Sequence, residues 1–196
     1  MSVHANSLFA IRESRFANRV DRMNDFVYNI IMKSQDILIA LKIVEKDSED
    51  WRIIDIAYKL NISQSEVHEG INRLHDSEIM HRRKHIVKSN LAEFIIHGVK
   101  YCFPAIPGMK SRGIPTSHSS EFLRNIVRDK DQDTVVWPYE EGESSGVSIP
   151  PLYSSVPYFV LEDPFMYEYL CYIDAIRIGR KRERDYGKKK ISQLLK

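Results

Sequence analysis

Cysteine is scarce in this chain of 196 residues: only Cys102 and Cys171 occur. Two thiols build neither a disulfide framework nor a zinc ribbon, so both are expected to be reduced and buried. Long apolar runs are also missing. Stretches such as Ile37 to Leu41 or Tyr158 to Leu161 fall far short of the ~20 residues that span a bilayer. The opening Met-Ser-Val-His-Ala-Asn-Ser lacks the basic-then-apolar pattern of a secretory leader, and the expectation is a cytoplasmic protein with no membrane association. Glycine numbers only eight and nowhere forms a phosphate-cradling loop; within Pro104 to Ser117, Gly108 and Gly113 stand five residues apart. Internal repeats and low-complexity tracts are absent too.

Hydrophobic residues make up 43% and charged residues 29% of the chain, enough for an ordinary core and too apolar for bulk disorder. The net charge of +2 conceals an asymmetry. Between Arg177 and Lys196 nine Lys/Arg face two acids, a local +7 that leaves −5 over residues 1–176. Such an end can touch phosphates or another acidic surface, or it can be the solvated end of a helix.

Periodicity divides the chain into three parts. Residues 1–33 contain a helical pattern over 8–33. Its stripe of Phe16, Val20, Met23, Val27 and Ile30 is suited to core packing or to pairing with a second copy. A domain over 34–103 begins with a helix from Ser34, the expected cap, to about Val44, striped by Ile37, Leu38, Leu41 and Val44. It closes with a helix capped by Asn90, with Leu91, Ile95, Val99 and Cys102 on one side. Residues 104–196 are richer in loops. The stretch Pro104 to Ser117 reads as a linker and Glu121 to Val127 as a short helix. Thr134 to Trp137 reads as a strand, and Gly146 to Ile149 as its partner across the acidic Glu140, Glu141, Glu143 turn, until Pro150 and Pro151 end the pairing. Asp163-Pro164 starts a helix with Phe165, Tyr169, Tyr172 and Ile176 on one face. The pattern can carry this helix on into the basic end, with Gly179 and Gly187 as weak points.

The most informative segment runs from Trp51 to Leu74. Ile53, Ile56, Ala57 and Leu60 form one helix face, with Ala57 small enough for a second helix to cross. Asn61 tolerates the left-handed conformation of a sharp exit, and Ile62 plugs the turn. Ser63 with Glu66 forms a capping box, stapled by Ile62 and Val67, and Val67, Gly70, Ile71 and Leu74 then face inward. Two short helices, a tight turn and inward plugs describe a helix-turn-helix. The basic stretch His81 to Lys88 can supply a hairpin wing.

On the words Asp55-Ile-Ala-Tyr-Lys-Leu-Asn-Ile-Ser63 and Ser65-Glu-Val-His68, the segment Ser34 to Lys88 resembles prokaryotic winged helix-turn-helix regulators, the class that includes multiple-antibiotic-resistance-type repressors. It departs from them at Asn61, where that class usually carries Gly. Together with the elements read over residues 104–196, the resemblance sets the expected fold: mainly α with a small β component, a winged helix-turn-helix plus a smaller C-terminal α/β extension. It also implies that the second helix enters the major groove of double-stranded DNA while the wing meets the backbone.

On that reading Ser63, Gln64, Ser65, His68, Asn72 and Arg73, with Glu69 beside them, point outward to base edges and phosphates. Arg82, Arg83, Lys84 and Lys88 supply the cations of the wing. A homodimer through the N-terminal stripe or the Phe165 to Ile176 face matches paired half-sites. Acidic residues Glu66, Glu69, Asp76 and Glu78 oppose a polyanion, and leave open an antitoxin-like or other module that contacts a partner protein.

No catalytic or metal constellation stands out. His81 and His85 are separated by three cations, which disfavours a metal, and His97 and Cys102 read as core. Ser117-His-Ser119 holds nucleophile and base types too close together for a working dyad. The expectation is a regulator with no cofactor and no enzymatic activity.

Overall fold

A computed structural model describes residues 31–46, 50–81, 85–126 and 132–196. It is mainly helical, with a small three-stranded sheet. The Phe16 to Ile30 stripe lies outside the described residues. Among those described, no helix is long and apolar enough to cross a membrane, and no group of three or more His, Cys, Asp or Glu could hold a metal.

Helix α1 (Ser34–Lys46) is central: Ile37 through Leu41 are all 0% exposed. Five consecutive residues cover more than a full helical turn, so every side of this segment is covered by something. The neighbours are the next three helices and the long helix near the C-terminus. Its start differs from expectation. Ser34 already lies in the helix, and the capping side chain is Asp36, whose Oδ2 accepts the Lys33 N–H at 2.7 Å.

Helices α2 (Ile53–Leu60) and α3 (Gln64–Asp76) follow, joined by three residues. Asn61 takes the left-handed conformation (φ 52°, ψ 48°), and the Ile62 N–H returns to the Ala57 carbonyl at 3.1 Å. Ser63 Oγ accepts the Glu66 N–H at 3.2 Å and caps α3. The reciprocal half of the expected capping box is not made. The Glu66 carboxylate instead accepts from Tyr153 Oη at 3.1 Å and Gln35 Nε2 at 3.4 Å. Ala57, Val67, Gly70 and Leu74 are buried. A Cβ at Gly70 would lie 2.5 Å from Ile39 Cδ1 and 2.9 Å from Asp36 Oδ1, so glycine sets how closely α3 approaches α1.

After α3 the chain reverses through a short antiparallel bridge. Met80 pairs with Ile86, the His81 N–H donates to His85 O at 2.8 Å and the Val87 N–H donates to Ile79 O at 2.8 Å. Helix α4 (Lys88–Glu93), a π-helical turn (Phe94–Gly98) and α5 (Val99–Cys102) then run end to end. Asn90 does not cap; it lies inside α4 and its Nδ2 donates to Glu78 O at 2.9 Å. The π turn changes the phase of the buried stripe. Leu91, Ile95 and Val99 are 0% exposed at spacings of four, and half-buried Phe103 takes the next place. His97 and Cys102, expected in the core, are therefore exposed, while Cys171 is buried.

The region read as a linker contains strand β1 (Lys110–Pro115). It pairs antiparallel with both β2 (Val135–Pro138) and β3 (Ser144–Ser148), while β2 and β3 pair parallel, closing a miniature barrel. The expected Thr134 to Ile149 pairing exists, but it is parallel rather than a hairpin across the acidic turn. Glycine permits the tight closure. A Cβ on Gly113 would lie 1.9 Å from the Trp137 carbonyl oxygen, one on Gly142 would lie 2.4 Å from Gly113, and one on Gly146 would lie 2.4 Å from the Thr134 oxygen. Residues 121–126 form turns rather than the expected helix.

Asp163 caps α6 (Pro164–Ile178) with Pro164 in the first turn, as the dipeptide predicts; Asp163 Oδ1 accepts the Met166 N–H at 3.2 Å. Helix α6 does not continue into the basic end. Gly179 and Arg180 interrupt it, and α7 (Lys181–Leu194) packs back on α6. Gly187 is no weak point: it is the crossing residue, where a Cβ would lie 2.8 Å from the Tyr172 carbonyl. Tyr169, Tyr172 and Ile176 are at most 2% exposed, buried within their own chain, so this face is not available for a dimer contact. The buried core is continuous from Ile37 to Leu195 across the expected boundary at 103/104.

Replacing Gly113 with Ala is expected to cost about 3 kcal/mol, because the opposing atom is backbone and cannot step aside. Gly108→Ala meets the movable Ser148 hydroxyl and should cost about 0.5 kcal/mol. Urea denaturation of the two variants checks the contrast; equal midpoints would rule out the close-approach explanation.

Candidate nucleic-acid interface

The two faces of α3 have different chemistry. Inward are Val67, Gly70 and Leu74, with Ile71 half-buried against the core. Outward are Gln64, Ser65, His68, Glu69 and Asn72, all exposed, with exposed Ser63 at the N-cap. The structure thus brings five of the expected contact residues together: Ser63, Gln64, Ser65, His68 and Asn72. They carry amide, hydroxyl and imidazole groups, donors and acceptors, with the charges of exposed Glu69 and Asp76 on the same side.

Arg73 does not belong to this face. Its side chain is 2% exposed and forms a two-pronged pair with Asp36 of α1, whose side chain is 0% exposed. Nε donates to Oδ2 at 2.8 Å and Nη2 to Oδ1 at 2.7 Å. The hydrogen bonds to Asp36 raise the guanidinium pKa above its ordinary value against the opposing effect of burial, with Glu69 and Glu66 adding to the rise. Arg73 follows Gly70 by three positions and Glu66 by seven, so helical phase carries it toward α1. A signal for this was present in the sequence. Asp36 stands at the edge of the apolar run Ile37 to Leu41, and a charge in a buried helix requires a partner.

Among the described residues, the cations around the interface are few. Lys59 is exposed on α2, and exposed Arg52 pairs in two-pronged fashion with Asp55 at 2.9 and 2.8 Å. Lys88 is half-buried in the first turn of α4. Arg82, Arg83 and Lys84 lie outside the described residues. Exposed Glu69 and Asp76 make the outer side of α3 neutral to acidic, and Ile54 and Tyr58 of α2 add exposed apolar surface at 51% and 84%.

The part of the chain after residue 103 holds this unit from behind. Tyr153 Oη donates to Glu66 on α3, and burial together with that carboxylate raises the tyrosine pKa. Ser155 Oγ donates to Leu60 O at the end of α2 at 2.7 Å. Lys42 of α1 is buried between Asp163 and Glu45. None of these ties was read from the sequence, because each joins residues that are far apart in the chain or face inward from polar stretches.

Ser117-His-Ser119 is buried and holds no dyad. The His118 Nε2–H donates to the Asp133 carbonyl at 2.9 Å, Ser119 Oγ accepts the Val135 N–H at 2.9 Å, and Ser117 Oγ is buried without a hydrogen-bond partner.

No family model matches the chain, and neither the curated proteins nor the solved structures give a match.

Removing one member of the Asp36–Arg73 pair leaves the other charge buried and unpaired, a loss of about 3–5 kcal/mol. Arg73→Ala and Asp36→Ala should each show that loss in chemical denaturation. Replacing both with apolar residues of similar volume (Asp36→Leu with Arg73→Met) should recover most of it. If Arg73→Ala melts like the wild type, the pair does not hold α3.

Proposed function

We propose that the protein is a transcriptional regulator that binds double-stranded DNA through a winged helix-turn-helix. The motif consists of α2, α3 and the reversal bridged at Met80 and Ile86. The observation that carries this reading is the exposed polar set Ser63, Gln64, Ser65, His68 and Asn72. It stands on one face of a helix whose opposite face is pinned by Gly70 and the Asp36–Arg73 pair. A reading helix needs both properties: short polar side chains that exchange hydrogen bonds with base edges, and a rigid mount that fixes their register.

In this reading α3, a 13-residue helix, lies in the major groove. The Gln64 and Asn72 amides have the donor–acceptor pair that adenine presents through N7 and N6. Ser63 and Ser65, beside the amino end of the helix, are suited to a phosphate, where free N–H groups and the helix dipole favour an anion. Lys59 and Lys88, with Arg82, Arg83 and Lys84 of the wing, would meet the backbone, which carries affinity rather than sequence information. Arg73 takes no part in contact; its role is to hold the helix. A homodimer on paired half-sites would need a contact outside the Phe165 to Ile176 face. No cofactor and no catalytic step enter the proposal.

A second reading is favoured by a specific observation. Exposed Ile54 and Tyr58 adjoin a helix whose outer side carries Glu69 and Asp76. Apolar and acidic surface suits a protein partner, as in an antitoxin-like module, better than a polyanion.

The two are separated by binding to fragmented genomic duplex DNA over a salt series. DNA reading predicts a preferred sequence. It also predicts that Gln64→Ala and Asn72→Ala each lose about 1–3 kcal/mol of discrimination with unchanged thermal melting. If both variants select the same duplexes as the wild type with equal affinity, α3 is not the reading element and the protein-partner reading replaces it.

A further inference from the structure

The cationic end of the chain acquires a definite surface once folded. Between Lys181 and Leu194 the sequence has six Lys/Arg and two acids. One of those acids, Glu183, is turned inward. It is 2% exposed and accepts from Gln132 Nε2 at 2.7 Å and from the Arg180 backbone N–H. Glu183, Gly187 and Ile191, at spacings of four, form the buried side of α7, and Leu195 continues the line. Gly187 lets that side sit directly on Tyr172, Ala175 and Ile176 of α6. The outer side therefore keeps Lys181, Arg182 and Lys189 exposed, with Arg184, Lys188 and Lys190 half-buried at its edges and a single exposed acid of the helix, Asp185.

Among the described residues, no carboxylate neutralises those cations. Arg182 Nη2 and Arg184 Nη1 donate to backbone carbonyls, of Ile126 at 3.0 Å and of Gly179 at 2.7 Å, which orients the guanidinium groups but leaves their charge. Lys190 lies over the rings of Tyr172 and Tyr186, with its ammonium 5.9 and 5.7 Å from their centroids. Lys181 and Lys189 are exposed and Lys188 is half-buried, and among the described residues none of the three meets a carboxylate. From Lys181 to Lys190 the cations extend about 14 Å along a rigid helix. That is comparable with the ~12 Å width of a major groove, so one helix can meet phosphates on both of its edges.

We infer that the outer face of α7 is a second, sequence-independent nucleic-acid surface that meets the phosphate backbone of a duplex. Charge complementarity assigns the occupant. A row of ammonium and guanidinium groups that meets no carboxylate among the described residues, oriented by the fold and with little apolar area between them, fits a regular polyanion. A bilayer-surface helix also needs an apolar face to insert, and the apolar side of α7 is already buried on α6. The inference does not depend on how α3 is used.

The test uses the full chain and a random-sequence duplex. The triple variant Lys181→Gln, Lys188→Gln and Lys189→Gln breaks no hydrogen bond or ion pair among the described residues and should melt like the wild type. Each phosphate contact adds about 0.9 to the slope of log affinity against log salt, so the variant should lower that slope by about 2 to 3 and weaken binding at low salt. Asp185→Asn should strengthen binding to the same duplex. Gln64→Ala with Asn72→Ala should leave the random-duplex slope unchanged, so failure of the α3 reading and failure of this one are distinguishable. An unchanged slope in the triple variant overturns the inference. So does lysine-dependent binding to phosphatidylserine vesicles without binding to the duplex.

Discussion

The pairing of Asp36 with Arg73 is the constraint around which the rest of the described structure is arranged. Taking a carboxylate and a guanidinium out of water costs several kcal/mol for each ion, and only close, two-pronged geometry offsets it. That geometry is available because Gly70 has no side chain: a Cβ there would intrude on both Ile39 and Asp36. Loss of either the glycine or a charge would push α3 away from α1. The pair also has direction. An apolar contact between two helices allows sliding and rotation, whereas two parallel N–H···O bonds hold α3 in one rotation about its axis. The faces of α3 are thereby kept distinct, with Gln64, Ser65, His68 and Asn72 outside.

The same device recurs. Asp163 caps α6 with one oxygen and pairs with Lys42 of α1 through the other. Asp174 of α6 accepts from Arg177 at 2.6 Å, from Trp137 Nε1 at 2.6 Å and from Thr116 Oγ1 at 2.9 Å, fastening the miniature barrel to the helix. Glu183 fastens the start of α7. Each buried carboxylate joins parts of the chain that the apolar core alone would leave free to shift. The two-helix unit around Asn61 is therefore mounted on the C-terminal half as well as on α1, through Tyr153 on Glu66 and Ser155 on Leu60.

Features governed by neighbouring residues were legible in the sequence. The left-handed Asn61, the Ser63 cap, the Asp163-Pro164 helix start and the strand at Val135 to Trp137 all follow from local rules and appear in the structure. What escaped depends on distant partners. Strand β1 looks like a linker because Gly113 and Pro115 carry turn signals, while its pairing is decided by residues more than twenty positions away. The π turn at Phe94–Gly98 shifts the buried stripe by a fraction of a turn and puts Cys102 outside. Arg73 has the composition of a DNA contact, and only Asp36, thirty-seven residues earlier, shows otherwise. Of the candidate reading face, the helix and five of its residues were visible from periodicity; which polar positions were internal was not.

The claim that α3 presents a reading face is tested most directly by hydrogen exchange of the full chain, free and bound to a duplex selected from fragmented genomic DNA. The account predicts slowed exchange on binding across the Ser63 to Asn72 stretch and the reversal around Met80 and Ile86, with no change in the already buried α1. Slowing confined to α7, with the amides of α3 unaffected in the complex, would contradict it.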